Sequence, residues 1–538
     1  MQTDIRHRNS EIRWVIVVSA LVVALASLPY VAVYLSTPRD LRFVGILINP
    51  FDGNSYLAKM QIGAQGGWLF HLLYTAVDHS GALLWAFHFL LGHVAAWTRL
   101  PIPLVYHLAR VSAGFVLLLV VYALIARATQ DLAERRLAFL FAALSSGLGW
   151  LAVLLGHIGT SDLLIPESNT FFSLHINPHF PMATALMVGM MLVAQGQRPE
   201  VASRQSAIRQ GGQVRGAVAL TLMSLALAVV QPFAVVIVYA ALGVSLFLRW
   251  WRDRRIAWLA VWRIFGAAVM TLPLSVYTVW VTQADPVLRG WMAQNVTPSP
   301  PVWDYALGYG LVLVLAVPGA VSAVRRRTDT DLLLLAWIGV TAIALYAPFA
   351  LQRRFSLGLH VPLTILAAMG LPRRHSLFLA MPTGLYRLTK RKSVIALACA
   401  ATWLTTLIVI VLGLSGGMKR DPRLFVSADE AAAMDWLHEN TPRNAVVLAS
   451  PEMGLFIPAW AGRRVVYGHP FETVNAEQTK ARVEMFFAAG TSRTDRDAMI
   501  SNWNAAFVFV GPRERALGMS ESLGREVFHN ATTVIYQP

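Results

Sequence analysis

The run WVIVVSALVVALASLPYVAVY, residues Trp14 to Tyr34, holds twenty-one consecutive residues without a charge, behind a basic leader that contains Arg6, Arg8 and Arg13. A transmembrane helix needs about 20 apolar residues to cross a hydrocarbon core of ~30 Å. A signal-peptide core is only about 7–15 residues long, so this run reads as a retained first span. The rest of the chain repeats the pattern. Further apolar runs lie near 105–126, 137–156, 180–195, 216–231, 233–250, 256–282, 306–324, 332–350, 355–372 and 393–415. With no water in the bilayer core, the backbone groups of such runs must bond within helices. The sequence therefore predicts a polytopic α-helical membrane protein of about eleven transmembrane helices.

Composition agrees. Of the 538 residues 56% are hydrophobic and 14% charged, against roughly 25% charged in an ordinary soluble domain. The net charge of +16 is dispersed in short clusters between apolar runs instead of one basic face, which argues against a nucleic-acid partner. The clusters read as topology signals. With the N-terminus cytoplasmic, the inside segments 1–13, 127–136, 196–215, 249–255, 325–331 and 373–392 hold 23 Lys and Arg, and the outside loops 36–104, 157–180, 283–305 and 351–354 hold 7. This is the bias of the positive-inside rule in a cell (inner or plasma) membrane. The fifth and sixth runs are divided at Gln231-Pro232. Residues 78–100 are apolar but carry Asp78, His79, His88 and His93; they read as a helix lying in the outer interface, because a further span would invert every cluster downstream. Cys399 is the single cysteine, so there is no disulfide framework.

At Ser415-Gly416-Gly417 the chain turns polar. Segments 427–440 and 475–487 read as helices, and 445–449, 464–467, 506–510 and 533–536 as short strands. Two domains are expected: a membrane domain over 1–415, including a long first external loop (36–104), and a soluble α/β domain over 416–538 outside the cytoplasm.

Ionisable groups beside a membrane are costly and so informative. The first external loop carries Asn49-Pro50-Phe51-Asp52-Gly53-Asn54-Ser55-Tyr56-Leu57-Ala58-Lys59. Asp52 at the outer face could serve as a general base towards a hydroxyl; the alternative is an Asp-Gly-Asn turn. The second external loop holds Asp162, Glu167, His175 and His179 and no Lys or Arg, ligand types that permit a divalent metal (Mg or Mn), with Glu167 and Asp162 as the candidate ligands, or hydrogen bonds to a sugar. Pro166-Glu167-Ser168 is also an ordinary helix start. Arg353 and Arg354 run against the inside bias, and the Arg fork matches phosphate oxygens; the alternative is snorkelling at the lipid surface. Trp291, Trp303 and Tyr305 read as an interfacial aromatic belt, and Arg110 and Arg263 as anchors at span ends.

The aspartate just after the first span, followed by Tyr56 and Ala58 in a long external loop, resembles the integral-membrane glycosyltransferases of the GT-C superfamily. Tyr106-His107-Leu108-Ala109-Arg110, Pro166-Glu167-Ser168, Asn177-Pro178-His179-Phe180 and Gln352-Arg353-Arg354-Phe355 carry the resemblance onward. In the tail it rests on Trp436-Leu437-His438-Glu439-Asn440-Thr441-Pro442, Ser450-Pro451-Glu452, Gly462-Arg463-Arg464 and Tyr467-Gly468-His469-Pro470. The resemblance implies an inverting cell-envelope enzyme with a polyprenyl-phosphate sugar donor and a glycan, lipid or protein acceptor. It implies a catalytic role for Asp52, and a second acidic residue in the second loop that Glu167 matches. Arg353 and Arg354 are the candidate residues for donor phosphate, and Tyr56, Lys59, His175, His179 and His469 are further candidates for substrate contacts. A transporter or flippase of polyprenyl-linked or other anionic substrates is the rival reading, although no paired halves are visible. A noncatalytic receptor or scaffold is a third.

Overall fold

The computed structural model describes residues 2–157, 159–196, 206–371 and 392–538. Of the basic segments, residues 197–205 and 373–391 lie outside the described residues. The chain forms two compact units, one of Met1–Leu28, Arg110–Val276 and Thr297–Leu412, the other of Pro29–Ala109, Tyr277–Val296 and Gly413–Pro538.

Seven helices among the described residues are long and apolar enough to cross a membrane: Asn9–Leu35, Ile102–Ala128, Gln213–Val230, Pro232–Asp253, Trp258–Ala284, Val302–Arg326 and Cys399–Met418. The chain is thus a multi-pass membrane protein. At 1.5 Å per residue, 18 to 27 residues reach about 27–40 Å, enough for the hydrocarbon core. Leu21, Leu222, Trp262 and Val279 stand exposed on these helices, a pattern that lipid, not water, stabilises. The division at Gln231 holds. Pro232 begins the second helix where its missing N–H costs nothing.

Four of the eleven expected runs depart from a full crossing. His179–Gln195, Asp329–Ala344 and His360–Gly370 are shorter helices, the last preceded by a 3-10 turn over Gln352–Ser356. The run 137–156 is broken into helices Leu132–Leu144 and Gly149–Leu154. Neighbouring backbone stabilises the break. Ser146 donates its N–H to the Thr402 carbonyl at 2.7 Å and Leu148 to the Leu307 carbonyl at 2.8 Å, so irregular backbone is satisfied inside protein. A side chain at Gly147 would put its Cβ 2.2 Å from the Gly308 oxygen, which is why the strands of backbone can approach there.

In the second unit, β1 (Leu41–Phe43) pairs antiparallel with β2 (Phe425–Ser427). The tail then supplies β3 (Val446–Leu448), β4 (Arg464–Val465), β5 (Ala505–Val510), β6 (Arg525–His529) and β7 (Val534–Gln537). Their order is β4-β3-β5-β7-β6, parallel from β4 to β5 and antiparallel beyond. Side chains alternate across a strand. Val447, Phe507, Phe509 and Ile535 therefore face one core with Tyr56, Leu57 and Met60 of the first loop and Met434 and Leu437 of helix Ala428–Asn440. Val446, Leu448, Val508 and Val510 face another with Phe486 and Phe487 of helix Ala476–Phe487. One sheet face is thus completed by the first loop.

Within that loop, helices Pro50–Ala64 and Ala86–Thr98 pack almost backbone to backbone. A Cβ on Gly92 would fall 2.0 Å from the Met60 oxygen and one on Gly63 2.2 Å from the Phe89 oxygen. With 13 residues the second helix reaches only about 20 Å, too short to span. Trp291 is buried against Phe70 and Phe89 instead of forming an interfacial belt, and Tyr305 is buried too, whereas Trp303 is exposed. Arg110 is no anchor at a span end: it is buried, donating to the Leu174 carbonyl at 2.8 Å and the Ser27 hydroxyl at 2.9 Å.

Candidate active site

Asp52 lies in the first turn of helix Pro50–Ala64 and not in the Asp-Gly-Asn turn that its sequence also allows. Asn49 caps the helix and Pro50 opens it, a residue pair suited to an N-terminus. The Asp52 N–H points to Asn49 Oδ1 at 3.4 Å, and Asn49 Nδ2 donates to Asp52 Oδ2 at 2.6 Å. A carboxylate is favoured at this end of a helix dipole. The remaining oxygen, Oδ1, faces His469 Nε2 at 3.7 Å; the Asp52 side chain is 46% exposed and His469 2%.

The His469 imidazole is oriented by its own chain. Its Nδ1 accepts the backbone N–H groups of Phe471 at 3.1 Å and Glu472 at 3.2 Å. Nδ1 is therefore the acceptor of the neutral ring, and the proton sits on Nε2, the nitrogen that faces Asp52. A buried donor thus looks at a half-exposed carboxylate across a gap slightly too long for a hydrogen bond.

Below this pair the same corner is anchored to the same helix. Asp52, Ser55, Tyr56 and Lys59 follow at the spacing of one helix face. The Lys59 ammonium, 2% exposed, meets Glu472 Oε1 at 2.7 Å and bonds the Ser55 hydroxyl, which itself donates to Glu472 at 2.6 Å. Trp85, Phe70 and Tyr56 surround the ammonium, the Trp85 ring centre 4.5 Å away. Burial works to raise the Glu472 carboxyl; Lys59, helped by the Ser55 hydroxyl, outweighs it and holds the carboxyl below its ordinary value. Lys59 is therefore spent on an internal pair instead of being presented to a ligand. Tyr56 is likewise buried, stacked on His88 at 4.9 Å.

The other expected site residues belong to the first unit. Glu167 sits in a 3-10 turn, Pro166–Ser168, that packs on the Gln352–Ser356 turn bearing Arg353 and Arg354. Glu167 and Arg353 both lie within electrostatic range of the Tyr305 hydroxyl. The structure therefore packs the turn of the second-loop carboxylate on the turn of the two arginines. Asp162 goes elsewhere: its Oδ2 accepts Ser146 Oγ at 3.2 Å and the N–H groups of Gly147 and Gly149 at 3.0 and 3.1 Å, fastening the broken helix. His175 bonds the Ala26 carbonyl at 2.8 Å through Nδ1. His179 packs on Phe180 at 4.2 Å. Both imidazoles are closed off from the surface.

No family model matches the sequence, and no curated protein matches it by sequence. Solved structures do match. The oligosaccharyltransferase of Archaeoglobus fulgidus in its apo form aligns over 92% of this chain and 69% of its own, at 13% identity and a TM-score of 0.53. ArnT from Cupriavidus metallidurans aligns over 96% of both chains in the apo state, at 14% identity and a TM-score of 0.52. The same protein bound to undecaprenyl phosphate gives 15% identity and a TM-score of 0.50. The chain shares the fold of these two membrane proteins.

Asp52 and its supports lie in the unit that holds the first loop and tail, and Glu167, Arg353 and Arg354 in the unit that holds most of the helices. Among the described residues no three His, Cys, Asp or Glu side chains converge as a ligand set; Asp162 gives its Oδ2 to two backbone amides and a hydroxyl, while its buried Oδ1 has no hydrogen-bond partner. The roles of Asn49 and Ser55 escape a reading of the sequence alone. Asn49-Pro50 is a legible helix start, and a serine one turn before a lysine on the same face is the signal that points to Ser55.

Proposed function

We propose that this protein transfers a glycosyl unit from a polyprenyl phosphate to an acceptor hydroxyl at the extracytoplasmic face, with Asp52 as the general base. The observation that carries the reading is the Asp52 carboxylate itself. One oxygen is fixed by Asn49, the other is turned to a buried, oriented imidazole, and the side chain stays half exposed. A base must reach its substrate, and a carboxylate that only capped a helix would not need a second, buried partner 417 residues further on. Distances in a ligand-free site are commonly longer than in the reacting complex, so 3.7 Å suits a contact that tightens when substrate binds.

In the proposed step the acceptor oxygen attacks the anomeric carbon while its proton passes to Asp52. The new bond is acceptor oxygen to carbon; the bond broken is carbon to phosphate oxygen. The electron pair leaves on polyprenyl phosphate, and anomeric configuration inverts. Arg353 and Arg354 take the departing phosphate, where fixed cations stabilise the charge that develops. Glu167, on the neighbouring turn, orients the sugar. ArnT has been solved with undecaprenyl phosphate bound and the archaeal oligosaccharyltransferase with a dolichol-phosphate and an inhibitory peptide; these ligands support a polyprenyl-phosphate donor here. The outer-face placement of the first loop and tail follows from the Lys and Arg bias.

The test is reconstitution of the purified chain in lipid vesicles with a panel of radiolabelled polyprenyl-phosphate sugars. Transfer of label to an added acceptor, with release of polyprenyl phosphate in equal amount, is the expected result. Movement of labelled lipid across the bilayer without transfer would replace the enzyme with a flippase.

A further inference from the structure

The second unit contains a cleft of about 350 Å³ that the proposed chemistry does not use. First-loop residues Gln65, His71, Asp78 and His79 form one wall, and Arg443 and Arg464 of the tail another. Its volume is that of a small-ligand site. Its chemistry is lopsided. Arg464, on edge strand β4, gives its Nε to the Thr75 carbonyl at 3.2 Å and its Nη1 to Asp78 at 2.6 Å. Its Nη2 and the Gln65 Nε2 are shielded from solvent without a hydrogen-bond acceptor. The exposed Arg443 adds a second guanidinium, held through Nη1 on the Gln65 carbonyl.

The imidazoles do not offset this excess of donors. His79 has both nitrogens engaged, Nε2 accepting the Leu72 N–H at 2.9 Å and Nδ1 on the Val77 carbonyl at 3.1 Å, so its ring is neutral with a fixed tautomer. Burial, with the Arg464 guanidinium close by, pushes the His71 imidazole down, away from its charged form. Asp78 is the one carboxylate in the cleft and is already paired to Arg464. Two guanidiniums against one carboxylate leave a net positive site. Buried donors without acceptors cost free energy that a ligand rich in acceptor oxygens would recover.

We infer that this cleft binds an oxyanion, the phosphate or carboxylate group of a ligand, between Arg464, Arg443 and Gln65. The two guanidiniums supply planar N–H forks suited to such oxygens, and the Gln65 amide supplies a neutral donor. The site is separate from Asp52 and goes beyond the proposed transfer reaction; it would stand if that reaction proved wrong. The same chemistry recognises a soluble anion or a lipid headgroup.

The experiment reads binding, not transfer, on the full chain in phosphatidylcholine nanodiscs. Inorganic phosphate and glucuronate are titrated by calorimetry, with glucose as the neutral control, and hydrogen exchange is followed over residues 65–79 and 443–464. A parallel sample in phosphatidylglycerol nanodiscs, without added anion, tests the headgroup source. Protection of both segments by phosphate, by glucuronate or by phosphatidylglycerol supports the site and names its source. Affinity should fall roughly tenfold in Arg443→Gln and further in Arg464→Gln, and should weaken as salt is raised. Arg443 is exposed, so its variant is expected to fold; the melting curve of Arg464→Gln is compared with the parent before its affinity is read. Equal binding of glucose, unchanged affinity in Arg443→Gln, or no protection in any sample would overturn the inference.

Discussion

Replacing Glu472 by Gln isolates the buried pair that ties the tail to the first loop. Lys59 is 2% exposed and the Glu472 side chain 9%, with 2.7 Å between ammonium and carboxylate. Removing one member of such a pair leaves a buried charge without compensation and costs about 3–5 kcal/mol. Gln keeps an acceptor for Ser55, and the Trp85 ring stays over the ammonium at 4.5 Å, so the lower end, about 3 kcal/mol, is expected. Hydrogen exchange of peptides covering 50–64 and 464–476 is the direct assay. A loss of that size speeds their exchange by about two orders of magnitude. The double variant Lys59→Met/Glu472→Leu removes both charges and should recover most of the protection, because an apolar pair of similar volume often matches a buried ion pair. The pH dependence has a definite sign. Glu472 is held below its ordinary value in the folded protein, so its contribution is complete above the usual glutamate range and is lost as pH falls through the lowered folded value. Unchanged exchange in Glu472→Gln, or a double variant as unprotected as the single one, would refute the reasoning.

Three other predictions follow from the same structure. Replacing Arg353 and Arg354 together by Gln weakens polyprenyl-phosphate binding with little change in the melting temperature, since partly exposed side chains seldom carry the core; unchanged donor affinity would leave them as lipid-surface arginines. His469→Gln lowers the rate of transfer about 10- to 100-fold with donor binding retained, because it loosens the placement of Asp52; a parent-like rate would make the imidazole structural only. A reporter active only outside the cytoplasm is expected to work after Pro538 and at Asp162 and to stay silent near Arg326, and the opposite pattern would invert the topology.

Legibility of the fold was uneven for physical reasons. Apolar runs such as 14–35 and 105–126 announce themselves because lipid permits little else, and the capping box of Ser427 and Glu430 marks a helix start in a few residues of text. The break at 145–148 carries no comparable local mark. Its backbone partners, Thr402 and Leu307, lie far along the chain, and an apolar run interrupted by two glycines reads as a span. The site divides in the same way. Asp52 stands out as a carboxylate at membrane depth, whereas the meaning of Lys59 depends on Glu472, 413 residues away, and without that partner a lysine in an external loop looks like a ligand. Asp162 and Glu167 look alike on paper. One proves to be fastened to three donors of a helix break, the other to sit on a turn beside two arginines, a difference that only tertiary structure makes.

The most direct test of Asp52 as the base is the rate of transfer by Asp52→Asn, on purified protein at matched amounts, with donor binding measured separately. Asn keeps the size of Asp and an oxygen to accept the Asn49 amide, so a helix-capping role predicts little change, within about 0.5 kcal/mol of stability. Loss of a positioned general base typically costs about 10² to 10⁴ in rate, and a loss in that range with donor affinity intact is the predicted result. Transfer by Asp52→Asn at a rate close to the parent would contradict the assignment.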